Sequence, residues 1–328
     1  MTMVRAQRHG FLARRKAKSA VSLLTSLVFG AIGLVLTPPE PVDATTTWDC
    51  TVTSSDGSYE LGVGYAARVR NGAIEVYRVF RTSIADSSWT FNWQTPTSYS
   101  IGSTQTANAL MMDASGQMFI HIGAPGGGTW QRYRLNTDGT KTLMASTSWA
   151  ELNVAAQNSA GVFFGSRNGN LGTSFSTTSP SSFGADSVSN SSSYTIKDWT
   201  QVPAGISGPL ASYVGWFVGL SNSGYYVLTT TSGSRAYVPV GIPGASGNDF
   251  GSAFTIGSRV AFADNTNGNL YITDDNGTLS LAKQGTVPAS NDIDGASCTG
   301  VIDKVSLAVD QLTYDANGGT GAPTGQDC

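Results

Sequence analysis

Histidine is nearly missing from this chain, with two in 328 residues. His9 sits in a basic leader, so the rest of the chain has only His121. Cysteine is scarce too: Cys50, Cys298 and Cys328. A zinc site of histidines and cysteines cannot be built from that stock without consuming a disulfide. Nucleophilic catalysis needs a base beside its nucleophile, and one histidine leaves little choice of base. Charged residues make up 12% of the chain. Of the 19 Lys and Arg, six lie in the leader, which leaves 13; of the 22 acids, Glu40 and Asp43 precede residue 45, which leaves 20. The remaining chain is therefore near −7 and has no basic block. Nucleic acid is excluded as an expected partner, because phosphate binding needs clustered Lys and Arg.

The one long uncharged apolar run is "AVSLLTSLVFGAIGLVL", residues 20–36. Arg5, Arg8, Arg14, Arg15, Lys16 and Lys18 precede it, and "PPEPVDA" follows, ending with Val42 and Ala44 at the small-residue positions of a cleavage site. Residues 1–44 read as a secretory signal peptide cleaved after Ala44, with an uncleaved anchor as the alternative. Arg14-Arg15 sits in "ARRKAK", a poor twin-arginine context, so the general secretory route is expected. The expected location is secreted or cell surface, with no transmembrane helix in the mature chain. The long Arg-rich leader resembles those of secreted proteins of Gram-positive actinobacteria.

What the chain does have is glycine, serine, threonine, asparagine and aromatic residues. Short apolar or alternating runs are joined by turn residues. "GYAARV" meets "RNG" and "AIEVYRVF"; "NALMM" meets "DASG" and "QMFIHI"; "WQRYRL" meets "NTDG"; "LNVAA" meets "QNSAG" and "VFFGS". "WFVGL", "SRVAFA" and "NLYIT" are followed in the same way. These are hairpins whose turns tolerate positive φ. No helix is expected after the leader.

The hairpins repeat. Asn108, Asp113, Gly116 and Phe119 align with Asn153, Asn158, Gly161 and Phe164, and Gly72 precedes Gly116 by 44 residues. A period of about 45 residues with about four short strands per unit predicts a β-propeller, each sheet burying its faces against its neighbours in a ring. The fold class expected is all-β: a propeller-like ring of about five to seven blades over residues 45–300, with a two-sheet sandwich as the alternative. The repeated Gly permits the turn of an inner hairpin, and the repeated Phe packs between blades. Residues 176–193 read as a long polar loop between blades, and Trp199 as an inter-blade residue. Residues 301–328 read as a spacer and a short C-terminal extension.

Cys50 and Cys298 bracket nearly all the patterned sequence, and outside the cell thiols tend to pair. Ring closure would bring them together, so a Cys50–Cys298 disulfide is expected, with Cys328 as the competing partner.

Two resemblances follow. "LTYDANGGTGAPT", residues 312–324, resembles the opening of a Listeria–Bacteroides (internalin-type B) repeat, a small β module of bacterial surface proteins. "WDC" (48–50), "IKDWTQV" (196–202), "FGSAFTIGSRVAFADNTNGNLYIT" (250–273) and "SNDIDGASC" (290–298) resemble a family of secreted actinobacterial propeller-like domains of unassigned function. That family's last motif usually reads Asn-Asp-Gly-Ala before its Cys-containing end; here Ile293 and Asp294 are inserted. The resemblance implies surface location and architecture, and no chemistry.

The search for a site is spare. His121 ends an apolar strand, and no acid–base partner set is readable around it. The motif GxSxG is absent. Asp56, Asp113, Asp138, Asp274 and Asp275 sit in turns, where Asp caps its own backbone. "DNTNGNLYITDDNG", 264–277, is oxygen-rich enough for calcium but reads better as two hairpin turns. "GAPGGG", 123–128, lacks the Lys of a phosphate loop and reads as a hairpin tip. Trp89, Trp93, Tyr99, Trp130 and Trp149 are glycan-binding candidates by type, though blade cores use the same residues. No catalytic, cofactor or metal residue is assigned. The function expected is a non-enzymatic cell-surface module for display or adhesion, with a host or cell-wall glycan or protein as its partner. The alternatives are a lectin-like propeller and a secreted glycan hydrolase or lyase.

Overall fold

A computed structural model describes residues 47–305 apart from 56, 58, 83–90, 94, 126–129, 145–153, 159–162, 167–173, 176–195, 231, 233, 244–248, 275, 287–292, 299 and 302. The leader, Trp89, Trp149, the polar stretch 176–193, the repeat-like tail and Cys328 lie outside the described residues.

The described chain is strand after strand. β1 (Thr51–Thr53) pairs with β2 (Tyr59–Gly62). β3 (Gly64–Arg70), β4 (Ala73–Arg81), β5 (Phe91–Trp93) and β6 (Thr97–Ser100) follow, with β5 and β6 both on β4. β7 (Thr106–Met112), β8 (Met118–Gly123), β9 (Trp130–Leu135) and β10 (Lys141–Leu143) make an antiparallel meander. β11 (Val154–Gln157), β12 (Phe163–Ser166) and β13 (Ser174–Phe175) make a three-stranded one. β14 (Thr200–Gln201), β15 (Phe217–Leu220), β16 (Tyr225–Thr229) and β17 (Arg235–Pro239) form the next sheet, with a short 3-10 helix, Gly208–Tyr213, between β14 and β15. β18 (Phe250–Ile256), β19 (Arg259–Asp264), β20 (Asn269–Thr273) and β21 (Leu279–Thr286) form another. β22 (Ile293–Ser297) then pairs with β3, and β23 (Lys304–Val305) with β2.

Alternation along the strands explains how these sheets pack. In a strand, successive side chains point to opposite faces. On β8, Met118, Ile120 and Ile122 join the core shared with the β3–β4 sheet, while Phe119 joins the core shared with β11–β12. Phe163 faces back to Phe119, ring centres 5.7 Å apart, and Phe164 faces forward to Phe217 at 5.1 Å. Trp199 lies in that forward core, as expected of an inter-blade residue. On β19, Val260 and Phe262 pack toward the β14–β17 sheet, and Ala261 and Ala263 toward β3–β4. Each sheet thus has both faces covered, and the last packs against the first. That is why these strands read as continuous apolar runs rather than clean alternation. The result is an all-β, propeller-like ring.

Closure brings the two cysteines together as their places in the sequence predict, and adds a strand pairing that the repeat does not show. The ring is sealed by β22, a C-terminal strand that becomes the innermost strand of the N-terminal sheet, in the order β22-β3-β4-β5. The Cys50–Cys298 disulfide forms beside it, with Cα atoms 5.5 Å apart and the Met112 thioether 3.3 Å from Cys298 Sγ. The repeat of Gly72 and Gly116 is out of phase by one strand. Gly116 turns first strand into second, β7 into β8, and Gly161 lies outside the described residues. Gly72 turns β3 into β4, the second and third strands of its sheet. It matches in kind because it ends an Asn71-Gly72 turn, with φ of +51° and +73°, the mirror-image turn that suits the strand twist. The fold also runs past residue 300. Asp303 accepts a hydrogen bond from Gly62 N at 2.8 Å and pairs with Arg81, and β23 lies against β2.

Candidate functional site

Among the described residues, β7, β11, β14, β18 and β22 stand innermost in their sheets. An innermost strand is paired along one edge only, so the other edge aims N–H and C=O groups at the ring axis. Asp198, just before β14, answers that need. Its Oδ2 accepts hydrogen bonds from Ala253 N on β18 at 2.7 Å and from Gly295 N on β22 at 3.2 Å, and its Oδ1 from Trp199 N at 2.8 Å. Two residues further along each strand a second layer repeats the device. Ser297 Oγ accepts from Thr255 N at 2.7 Å and lies 3.0 Å from Thr200 Oγ1, while Gln157 Nε2 donates to Ser297 O at 3.2 Å. One carboxylate, two hydroxyls and one amide therefore stitch four inner strands together.

Asp198 is 2% exposed and Asp294, on β22, is 5% exposed. Burial and then the neighbouring Asp294 carboxylate hold the Asp198 carboxyl well above the usual range. A carboxyl pair with a raised pKa is the arrangement that acid–base catalysis uses, so its access decides its meaning. Here the pair is enclosed, and Asp198 spends both oxygens on backbone amides.

Beyond the second layer the axis widens into a cavity of about 140 Å³. Gln157, Thr200, Thr255 and Ser297 line its inner part, and Val202, Pro203, Ala204, Val214, Cys298 and Val301 its walls and rim. No side chain that lines it is ionisable at neutral pH, since Cys298 is in the disulfide.

His121 is fully buried on β8, and its Nε2 accepts from Arg132 Nε at 3.1 Å. Burial and then the Arg132 charge push its pKa well below the usual value, and burial alone lowers Arg132 to about 10. This is a packed interior pair between sheets, far in kind from an exposed base. Tyr99 and Trp130 are both buried, so neither offers an open ring to a glycan. Trp93 lies in β5 opposite Val79. Within 264–277, three side-chain oxygens serve their own turns: Asp264 Oδ1 accepts from Thr266 N, Asn267 Oδ1 from Asn269 N, and Asp274 Oδ1 from Asn276 N and Thr278 N, while Asp275 lies outside the described residues. Asp113 and Asp138 do the same in theirs. Among the described residues no three of His, Cys, Asp and Glu gather as a metal site. Gly123 pairs with Trp130 across β8 and β9, and residues 126–128 of "GAPGGG" lie outside the described residues.

Asp198, Asp294, Gln157, Thr200 and Ser297 were not singled out by sequence reasoning. One signal was there for Asp198: in "IKDWTQV" it lies beside Trp199 with no turn residue next to it, whereas Asp294 followed by Gly295 reads as a turn pair.

No family model and no curated protein matches the chain. Solved structures resemble it distantly. Virginiamycin B lyase from Staphylococcus aureus is 12% identical, with a TM-score of 0.36 over 74% of this chain and 70% of that one. A protein of unknown function from Bacteroides caccae is 9% identical, with a TM-score of 0.40 over 72% and 86%. The extracellular domain of BT4673 from B. thetaiotaomicron is 9% identical, with a TM-score of 0.33 over 76% and 35%. Likeness at this level carries no argument about chemistry. Among the described residues no helix is long and apolar enough to cross a membrane.

Proposed function

We propose that this chain is an exported, non-enzymatic cell-surface module that serves display or adhesion, released from its signal after Ala44. The observation that carries the reading is the fate of the acid pair. Asp198 and Asp294 are shut inside the ring, and Asp198 is occupied by three backbone amides of the inner strands. A carboxyl so engaged supports a rigid scaffold and has no room to attack or protonate a substrate. The disulfide that joins the two ends of the ring suits an oxidising compartment. We read the ring as five-bladed, counting four sheets of four or five strands and the three-stranded β11–β13 sheet between them. Within a larger surface protein, such a ring would hold its rim toward a host or cell-wall glycan or protein.

Two measurements test this. Brief proteolysis of intact cells should release peptides from residues 45–300 into the medium, and their recovery only after lysis would refute surface display. A glycan-cleaving activity lost in both Asp198→Asn and Asp294→Asn, beyond the fraction of each variant unfolded, would refute the non-enzymatic reading.

A further inference from the structure

The axial cavity is not used by the scaffold. Its inner polar groups mostly partner one another: Ser297 Oγ takes Thr255 N and meets Thr200 Oγ1, and Gln157 Nε2 is held by Ser297 O, which leaves Gln157 Oε1 as a buried acceptor without a hydrogen bond. Its walls are aliphatic, from Val202, Pro203, Val214 and Val301. Val214 stays 48% exposed at the rim, one of few large apolar side chains so placed among the described residues. The rim loop is pinned rather than slack. Trp216 N donates to Tyr213 O at 2.9 Å, Gly215 N to Val202 O at 3.0 Å, and Gln201 Nε2 to Gly215 O at 2.8 Å. The Tyr213 and Trp216 rings meet edge to face at 5.3 Å and root the loop in the core beneath. Val214 therefore cannot fold inward to close the opening without breaking these bonds.

We propose that this cavity is a binding site for a small, uncharged, mainly apolar group of one ring. Three properties set the class. A volume of about 140 Å³ is the size that admits one six-membered ring and is too small for a drug-sized ligand. No lining side chain carries a charge, so an ionised ligand would lose its hydration without compensation. The polar floor is hydrogen-bonded except at Gln157 Oε1, a buried acceptor without a partner, so a ligand gains by apolar contact with the walls and can place one donor on the floor, not many hydroxyls. Such a group could be a free aromatic or alicyclic molecule, or an aromatic side chain that projects from a partner. The identity of a partner rests on the display reading; the site itself does not.

The test uses the disulfide-bonded mature chain and ligand-observed NMR with phenol, cyclohexanol, benzoate, methyl glucoside and a capped phenylalanine amide. Phenol and cyclohexanol should bind, with benzoate and methyl glucoside at least about tenfold weaker, a tenfold step being the size of one lost polar compensation. Ala204 is exposed at the rim, so Ala204→Trp should block binding without touching a buried bond, and its thermal unfolding should match that of the native chain. Capped phenylalanine amide binding as well as phenol is the result expected of a protein partner; phenol and cyclohexanol without it is the result expected of a free ligand. Failure of both neutral rings to bind, equal binding of benzoate, or binding that survives Ala204→Trp would overturn the assignment. Surface display is read separately by cell proteolysis, so either proposal can fail alone.

Discussion

Replacing Asp198 by alanine should be among the most damaging single changes in this ring. The substitution leaves three enclosed N–H groups, of Trp199, Ala253 and Gly295, without their acceptor. An orphaned buried donor costs about 1–3 kcal/mol, so the gross loss is roughly 3–9 kcal/mol. Two effects offset it: the desolvation of the carboxyl vanishes, and so does its conflict with Asp294. A net loss of about 4 kcal/mol follows, a large share of the 5–15 kcal/mol typical of a whole domain. Asp198→Asn keeps one oxygen for Ala253 and Gly295 but turns an N–H₂ toward Trp199 N, so it should lose only about 1–3 kcal/mol. The pH dependence separates this account from simple loss of packing. The Asp198 pKa is raised in the fold, by burial first and by Asp294 second. Between its unfolded value and that raised value the native state keeps a proton that the unfolded chain has released. Stability therefore falls as pH rises through that window, and the slope should shrink in the asparagine variant. Urea unfolding followed by tryptophan fluorescence, at several pH values with the disulfide intact, measures all of this. An alanine variant within about 0.5 kcal/mol of the native chain, the scatter of ordinary surface changes, would refute the axial hub.

Other outcomes follow from the same structure. Cys50→Ser with Cys298→Ser should lose about 2–4 kcal/mol, below the roughly 5 kcal/mol that chain entropy allows for so long a loop, because β22–β3 pairing already holds the ends; unfolding with and without the bond measures it. Gly72→Val should cost about 1–2 kcal/mol, from forcing a branched side chain to positive φ where a Cβ would meet only ordinary contact, 3.6 Å from Ile101 O; a thermal midpoint unchanged from native would contradict the turn assignment. His121→Ala should lower the unfolding midpoint, since Arg132 Nε loses its acceptor, yet leave ligand binding by the folded fraction unchanged; calorimetry paired with a binding titration reads both. Far-ultraviolet circular dichroism of the mature chain should be that of strands, and a helical spectrum would contradict the fold.

Hairpins were legible because they are local. Asn71-Gly72 needs no partner beyond its own two strands to specify its turn, and Asp113 and Asp274 cap the turns in which they sit. The alternation that sends Phe163 one way and Phe164 the other is likewise written in adjacent residues, and it announces strands covered on both faces. Cys50 and Cys298 were readable as a pair because a ring must bring its ends together. The phase of the first sheet was not readable. Gly72 looks like Gly116 until β22, more than 200 residues later, takes the innermost place and shifts every strand of that sheet outward by one.

The axial layer belongs to tertiary structure alone. Asp198 and Gly295 are 97 residues apart in the chain, and Gln157 and Ser297 are 140 apart. Local pattern can mark Asp198 as an acid with no turn of its own to cap, but nothing local says that it will cap the amides of two strands brought from elsewhere in the ring. The sequence by itself determined strands, turns and the bond that locks the ends, because short-range sterics and the two-residue period are properties of neighbours. Which polar groups face the axis, and whether they are sealed or open to a ligand, was decided only when the ring closed, because an unpaired strand edge has no partner until the fold brings one to it.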